Sequence, residues 1–239
     1  MSKRKLLIAT GNPGKIVEIK LALETLPFDF CTLKDFPDIT PPDEPYDEIE
    51  LNAAVKAKYY AGKTGLLSLA DDSGIFVEAL GGWPGVKSPR VGKTDDERMN
   101  AVLERLRGVK KNKRVAFFRA SLALFDPLVK TIHIVTRDEP GMILEEAVKQ
   151  RRAGFGYDPI FWVPEIGLAY AEISIEEKNK ISHRAKALNE MDYIIKKQYG
   201  ARNIVVPCAL IIQNGRLLMQ KRNDPFRPDY HGKWEFPGG

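Results

Sequence analysis

The sequence predicts an α/β domain with a mixed sheet, followed by a short unit built on a β-hairpin. Three observations carry this. Short apolar strand patterns alternate with helical patterns up to residue 199, as in a sheet covered by helices. A β-rich segment, 114–136, is split only by Asp126-Pro127 and supplies an antiparallel pair. At Gly200 the pattern restarts, and Asn214-Gly215 between two apolar runs is a strong hairpin signal.

The elements follow in order. Residues 5–9 are an apolar run ending in Thr10-Gly11-Asn12, a buried strand entering a turn. Ile16, Ile19, Leu21 and Leu23 give residues 15–26 helical spacing, and 28–33 reads as a second strand. Proline and acid make 35–47 a loop. Helix returns over 48–62, where Ala53, Ala54, Ala57 and Ala61 permit close packing. Residues 67–70 and 75–80 read as short strands flanking an Asp71-Asp72-Ser73-Gly74 turn, and 81–92 is a loop marked by Gly-Gly, Pro-Gly and Ser-Pro. Thr94-Asp95-Asp96-Glu97 caps a helix over 94–106. Strands at 114–125 and 130–136 come next, then an ambiguous stretch at 141–147 and a short strand at 161–163. Ser174-Ile175-Glu176-Glu177 is a capping box opening a long helix toward Tyr199. In the tail, 203–212 and 217–221 are strands around the Asn-Gly turn, and 223–239 is loop-like.

Composition narrows the class. The chain has 239 residues, 44% hydrophobic and 29% charged, ordinary values for a globular protein. No apolar run approaches bilayer length, and 6–10 is too short for a signal-peptide core. Cys31 and Cys208 lie far apart and give neither a disulfide framework nor a zinc spacing. These features lead to the expectation of a cytoplasmic protein with no membrane association. The net charge of +5 is interspersed, without a nucleic-acid-binding motif, so the expected partner is a small polyphosphate and not a nucleic acid.

Four segments carry chemistry. Thr10, Gly11, Asn12, Pro13, Gly14 and Lys15 follow a strand and precede a helix. Their glycines let amides approach an anion, the helix N-terminus adds partial positive charge, and Lys15 adds a full one. The spacing fits neither a Walker A loop nor a dinucleotide fingerprint, and by itself Gly-Asn-Pro-Gly is an ordinary turn. Asp71 and Asp72 lie at a strand end in apolar surroundings, which is costly unless they are paired or bind a cation. One can hold magnesium while the other hydrogen-bonds; equally, the segment reads as an Asp-rich turn bonding its own backbone. Asp43 and Glu44 offer a further metal ligand or decorate a solvated loop. Asn52 and Lys56 share a helix face, aimed into a cleft or at solvent.

The run from Gly154 to Phe161 exposes backbone groups through its glycines. Phe155 and Tyr157 offer flat faces for a base, Gly156 lies between them, and Asp158 can accept from a ring edge or ribose. A purine suits such a loop; a tight structural turn is the alternative, and two aromatics are unusual fillers for one. Lys178, His183 and Arg184 form a cationic cluster. The Arg184 fork suits phosphate or a carbonyl, and His183 can donate to either. Ser73 and Ser182 lack a nucleophile-elbow context.

In this order the segments resemble the inosine triphosphate pyrophosphatase family, which cleaves ITP, dITP and XTP to the monophosphate and pyrophosphate. The matching pieces are Ala9-Thr10-Gly11-Asn12, Gly14-Lys15, Asn52, Lys56, Ala70 to Gly74, Leu80-Gly81-Gly82, Pro84-Gly85, Ser88, Arg90, Gly154 to Phe161, Lys178 and Ser182-His183-Arg184. They span residues 4 to about 198. The resemblance implies an elongated two-lobed domain at 1–199, with a long central mixed sheet flanked by helices, a cleft between the lobes and usually a homodimer. It implies that Thr10 to Lys15 and Ser73 hold phosphates, with Lys15 stabilising the leaving pyrophosphate. Asp72 would be the metal-linked carboxylate and proton acceptor, with Mg2+ as cofactor. Phe155, Gly156, Tyr157, Asp158, Lys178, His183 and Arg184 would hold the base and its neighbouring groups. Leu51 departs from the glutamate common in relatives, 145–152 is untypical, and Asp43 and Glu44 compete as second metal ligand.

Residues 200–239 resemble the start of a Nudix hydrolase domain, through Val206 to Ile212, Leu217 to Arg222 and Gly232 to Gly239. The Nudix box would begin at Gly238 and continue into a glutamate-rich helix, so the expectation is a truncated, catalytically inactive N-terminal part. Two other readings compete for the first unit. A Maf-like pyrophosphatase would have another base preference, which the Gly154 to Phe161 loop opposes. A nucleotide-binding regulatory module without catalysis is opposed by intact Lys15, Asp71 and Asp72.

Overall fold

The computed structural model describes residues 3–150, 152 and 154–199, together with the pairs 212–213, 216–217, 220–221 and 234–235. The chain divides into two compact units, Met1–Gly200 and Ala201–Gly239.

The first unit holds strands β1 (Arg4–Ile8), β2 (Phe28–Thr32), β3 (Leu67–Val77), β4 (Pro84–Gly85), β5 (Val115–Asp126), β6 (Thr131–Ile143), β7 (Phe161–Val163) and β8 (Leu168–Ala169). Its helices are α1 (Pro13–Ala22), α2 (Ile49–Thr64), α3 (Asp95–Arg105), α4 (Ile175–Ile181) and α5 (His183–Tyr199). The strands form one sheet in the order β2-β1-β3-β5-β6-β7-β8, with β4 beside β3. β1 runs parallel to β2 and β3, whereas β3, β5, β6, β7 and β8 are antiparallel in turn. The mixed α/β sheet expected from the sequence is the one found.

Three element readings are corrected. Asp71 to Gly74 is not a turn: β3 runs straight through it, paired with β5 from Ser68↔Phe125 to Val77↔Ala116. The β5 ladder satisfies the backbone that an Asp-rich turn would otherwise satisfy from its own side chains. The strand expected at 130–136 continues to Ile143 and absorbs the start of the ambiguous stretch. Pro140 is tolerated there because β7 pairs only with Met142 and Ile143, so the missing N–H faces an open edge. The long helix toward Tyr199 is broken at Ser182, whose extended backbone (φ −66°, ψ 157°) ends α4 and whose Oγ accepts from Ala185 N at 3.1 Å to start α5.

Alternation along the strands sorts the core. Leu67 and Leu69 of β3, with Leu122 and Leu124 of β5, pack against α1 and α5 on one face. Further along that face, Ile75, Val77, Ala116 and Phe118 pack against α3 and β7. Ala70 and Ala123 face α2 on the opposite side with Ala53 and Ala57. Asp71 and Ser73 therefore fall in the gap between two apolar clusters, and Asp72 on the other face. Gly74 lies under the β4 turn, where a Cβ would strike the Gly85 carbonyl and lie 3.0 Å from Ser88 Oγ. Gly74→Ala is expected to destabilise the fold by about 1–3 kcal/mol through overpacking, read as a lower urea midpoint.

In the second unit, β9 (Ile212–Gln213) and β10 (Arg216–Leu217) pair antiparallel with Arg216↔Gln213, the hairpin that Asn214-Gly215 predicts. β11 (Gln220–Lys221) pairs with β12 (Trp234–Glu235), a pairing absent from the loop-like reading of 223–239. The proposed strand over 203–211 lies outside the described residues.

Candidate active site

A cleft opens where β3 loses a neighbour. β1 pairs with β3 only through Leu69, and β4 takes up the same edge at Ile75. Between them the edge of β3 is free, and a cavity of about 550 Å3 wraps around it. That volume suits a small-molecule ligand. Side chains from both faces of the sheet reach it, because Asp71 and Ser73 project to one side and Asp72 to the other.

The loop after β1 forms the near wall. Asn12 caps α1, its Oδ1 accepting from Gly14 N at 2.9 Å and Lys15 N at 3.3 Å. This alters the expectation for the loop. Two amides expected to face an anion are held by the loop's own cap, which leaves the Lys15 ammonium as the full positive charge on this wall. Lys15 pairs with Asp71; burial lowers its pKa below the ordinary lysine value, and Asp71 acts against that shift. Thr10, Asn12, Pro13 and Gly14 line the cleft with Lys15, and Gly11 does not.

Behind this wall runs a buried chain of alternating charges. Lys178 Nζ lies 2.7 Å from Asp158 Oδ2 and 3.7 Å from Glu18 Oε1. Glu18 accepts from Arg184, whose Nε donates to Asp71 Oδ2 at 2.8 Å and whose third nitrogen reaches Ser73 Oγ at 3.0 Å. Asp71 closes the chain on Lys15. Burial opposes the Asp71 charge, but Arg184 and Lys15 hold its pKa well below the usual carboxylate range. Burial likewise opposes the Arg184 charge, and Asp71 and Glu18 more than offset it. The break at Ser182 makes this possible by turning the first residues of α5 inward: His183 is 3% exposed and Arg184 2%.

Acidic groups gather on the other face of the sheet. Lys56 Nζ sits 2.8 Å from Asp72 Oδ1 and 3.0 Å from Glu44 Oε1, and Arg90 also pairs with Glu44. Asn52 fixes the acidic loop by accepting from Tyr46 N at 3.1 Å and donating to Tyr46 O at 2.8 Å. Of the two candidate ligands in that loop, Glu44 lines the cleft, whereas Asp43 is exposed and does not. Burial raises the Asp72 pKa even against the attraction of Lys56. Two carboxylates converging on one ammonium, one of them poorly compensated, form a hard-oxygen donor set that fits a divalent cation. Among the described residues no cluster of three or more His, Cys, Asp or Glu forms a closed metal site. Such a cation would complete its shell with water and phosphate oxygens.

The glycine loop forms the far wall and differs from its sequence reading in three ways. Tyr157 borders the cleft but is mostly buried in the second apolar cluster, and its hydroxyl donates to Ser88 O at 2.7 Å. Asp158 lines the cleft with one oxygen already engaged, its Oδ2 accepting from Phe155 N at 2.8 Å and from Lys178. The N–H groups of Phe155 and Gly156 are already bonded, the second to Asp95 Oδ2 at 2.8 Å. Phe155 remains as the flat surface, with Lys178 Nζ 4.6 Å from its ring centroid. Gly154 has φ +114° and packs on the Asp158 carboxylate, where a Cβ would lie 2.8 Å from Oδ2.

Nothing in the sequence marks Glu18, Asp95 or Arg98 as site residues. Glu18 lies one turn from Lys15 on α1, a spacing equally typical of a surface ion pair. Asp95 and Arg98 lie within a capping segment already explained by the helix start.

The Ham1 family matches residues 6–193. The chain belongs to the Ham1 family. Among its relatives, a protein named dITP/XTP pyrophosphatase from Thermus thermophilus is 46% identical over 189 residues, covering 78% of this chain and 89% of that one. A dITP/XTP pyrophosphatase of Listeria monocytogenes is 40% identical over 191 residues, covering 79% and 93%. Solved structures agree: a HAM1 protein from Coxiella burnetii superposes with a TM-score of 0.74 at 35% identity, over 81% of this chain and 99% of that one. Ham1 pyrophosphatases generally depend on a divalent metal ion.

In this Ham1 chain, His183 stacks on Phe118 with centroids 4.8 Å apart and planes 7° apart, and its Nδ1 has no hydrogen-bond partner among the described residues. Burial, then Arg184 and Lys178, push its pKa well below 6.5. The folded state thus holds a neutral imidazole, while the unfolded chain takes up a proton below about 6.5. Stability should therefore fall as pH drops below that value, by about 1.4 kcal/mol per pH unit for this one site, until the folded-state pKa is reached. Urea unfolding at pH 7.5 and 5.5 checks this, since His183→Gln should remove that part of the loss.

Proposed function

We propose that this Ham1 protein hydrolyses the deaminated purine nucleotides ITP, dITP and XTP to the monophosphate and pyrophosphate. One observation carries the reading. The open edge of β3 gives a single cleft an acidic pair on one face and a cationic wall with a stacking ring on the other. A triphosphate can cross that edge with its base against Phe155 and its phosphates between Lys15 and Asp72. Relatives at 40–46% identity over most of the chain bear the name of this activity.

Asp72 and Glu44 are the residues to hold a divalent cation, for which we propose magnesium. When bound, it neutralises phosphate charge and orients the chain for attack. Asp72, its proton affinity raised by burial, accepts a proton from the water that attacks the α-phosphorus. The bond to the bridging oxygen breaks, and Lys15 stabilises the charge on the departing pyrophosphate. Lys56 keeps the acidic pair in place. Burial works against its charge, but Asp72 and Glu44 more than reverse this and hold the pKa above the usual lysine value.

Selectivity rests on the purine 6-position. Inosine, xanthine and guanine carry a carbonyl there, and adenine an amino group; rejecting guanine requires in addition a poor fit for its 2-amino group. We assign His183, which lines the cleft, to that end of the base: a donor there pairs with the carbonyl, while adenine would be left badly paired. Ion-exchange analysis of the products tests the bond cleaved: IMP and pyrophosphate in equal amounts are expected from ITP, and IDP with phosphate would contradict the mechanism.

Three further features belong to this proposal. The chain acts as a homodimer in the cytoplasm, where its nucleotide substrates are found. The half-exposed Phe76–Phe117 stack, centroids 5.0 Å apart, supports self-association, and light scattering measures it. No helix among the described residues is long and apolar enough to cross a membrane. We propose from sequence resemblance alone that residues 200–239 are Nudix-like; they lie outside the matched family segment, so removing them should leave ITP hydrolysis unchanged.

A further inference from the structure

Gly156 is held from outside its own loop. Its N–H donates to Asp95 Oδ2 at 2.8 Å. The other oxygen of Asp95 accepts from Arg98 at 2.7 Å, and Arg98 is braced in turn by the Gly92 carbonyl at 3.0 Å. Asp95 begins α3, where Thr94 and Glu97 form a capping box, so its backbone is fixed. Asp95, Arg98 and Gly156 all face the cleft. The preceding amide, Phe155 N–H, ends on Asp158. Two consecutive donors of the loop are thus tied to carboxylates from different elements.

This has two consequences for a bound purine. The tether fixes the peptide next to Phe155 and so the plane of the ring, at a residue whose φ of +63° only glycine adopts freely. It also withholds Gly156 N–H from the pocket. Every purine ring carries acceptor nitrogens, so a freed backbone donor would hold adenine as readily as hypoxanthine.

We propose that Asp95 is a positioning and specificity residue: by tethering Gly156 it orients the Phe155 platform and keeps an unselective donor away from the base. The inference rests on the purine triphosphate reading of the cleft. Asp95 contacts no reacting atom, so its loss should appear in binding and selectivity and leave the chemical step intact.

Steady-state kinetics on the full chain tests it. Asp95→Ala is expected to raise KM for ITP about tenfold, the loss of roughly one charge-assisted hydrogen bond, with kcat changed less than about twofold. The preference for ITP over ATP should shrink as well. Asp95→Asn keeps an oxygen for Gly156 N–H and should recover most of both effects. The melting temperature should stay near wild type, because Asp95 is half-exposed, and this separates positioning from unfolding. Unchanged KM and selectivity in Asp95→Ala would overturn the proposal. If the wild-type chain failed to hydrolyse or bind ITP, the purine reading would fail instead. Amide exchange at Gly156 would then decide the tether by itself: slow in wild type and fast in Asp95→Ala supports it, and equal rates remove it.

Discussion

Replacing Asp72 with asparagine is expected to slow pyrophosphate release from ITP by about a thousandfold, the usual contribution of a general base. The change is nearly isosteric, and the amide oxygen can still accept from Lys56, now 2.8 Å from Oδ1. What disappears is the negative charge, and with it both the proton acceptor and half of the acidic pair. Glu44 alone would then face Lys56 and Arg90, which favours a closed ion-pair cluster over cation binding. Because the side chain borders the cleft, the folded state should lose little stability. A variant that kept its rate within about tenfold at full cation occupancy would show that Asp72 is not the acceptor.

Arg184→Ala should have the largest effect on stability, about 3–5 kcal/mol, the cost of breaking a buried ion pair from one side. Arg184 joins Asp71, Glu18 and Ser73. Without it, Asp71 and Glu18 stay buried with only Lys15 and Lys178 to compensate. Arg184→Lys should recover only part of the loss, since a point charge cannot span three acceptors. Thermal unfolding should register a drop on the order of 10 °C for Arg184→Ala in a chain of this size. A melting temperature close to wild type would mean that the alternating chain of charges contributes little, and that solvent or local relaxation replaces Arg184.

The contrast between these two residues shows what sequence can convey. Strand and helix periodicity located β1, β2, α2, α3 and β7 closely, because their apolar spacing is local. Asp71 to Gly74 misled because each residue type favours a turn, and only the long pairing with β5 overrides that tendency. The break at Ser182 carries neither glycine nor proline, so a helix reading runs through it, yet that break buries His183 and Arg184. At the site, residue types revealed which chemistry was present but not which partner already claims each group. Asp158 and Tyr157 offer the right atoms for a nucleotide, and the fold commits Asp158 Oδ2 to Lys178 and the Tyr157 hydroxyl to Ser88 O. Glu18 shows the reverse: an unremarkable helix position that becomes a hub only when α1 packs beside α5.

In the proposed function, one cleft joins pyrophosphate-releasing chemistry to a pocket that reads a purine 6-carbonyl. The decisive experiment is pyrophosphate release by the purified full chain with magnesium, comparing ITP and XTP against ATP, GTP and CTP. Strong preference for ITP and XTP is the predicted result. Equal or faster hydrolysis of ATP or CTP would contradict the base pocket, and no hydrolysis by folded protein that binds nucleotide would contradict the assignment of Asp72 and Lys15.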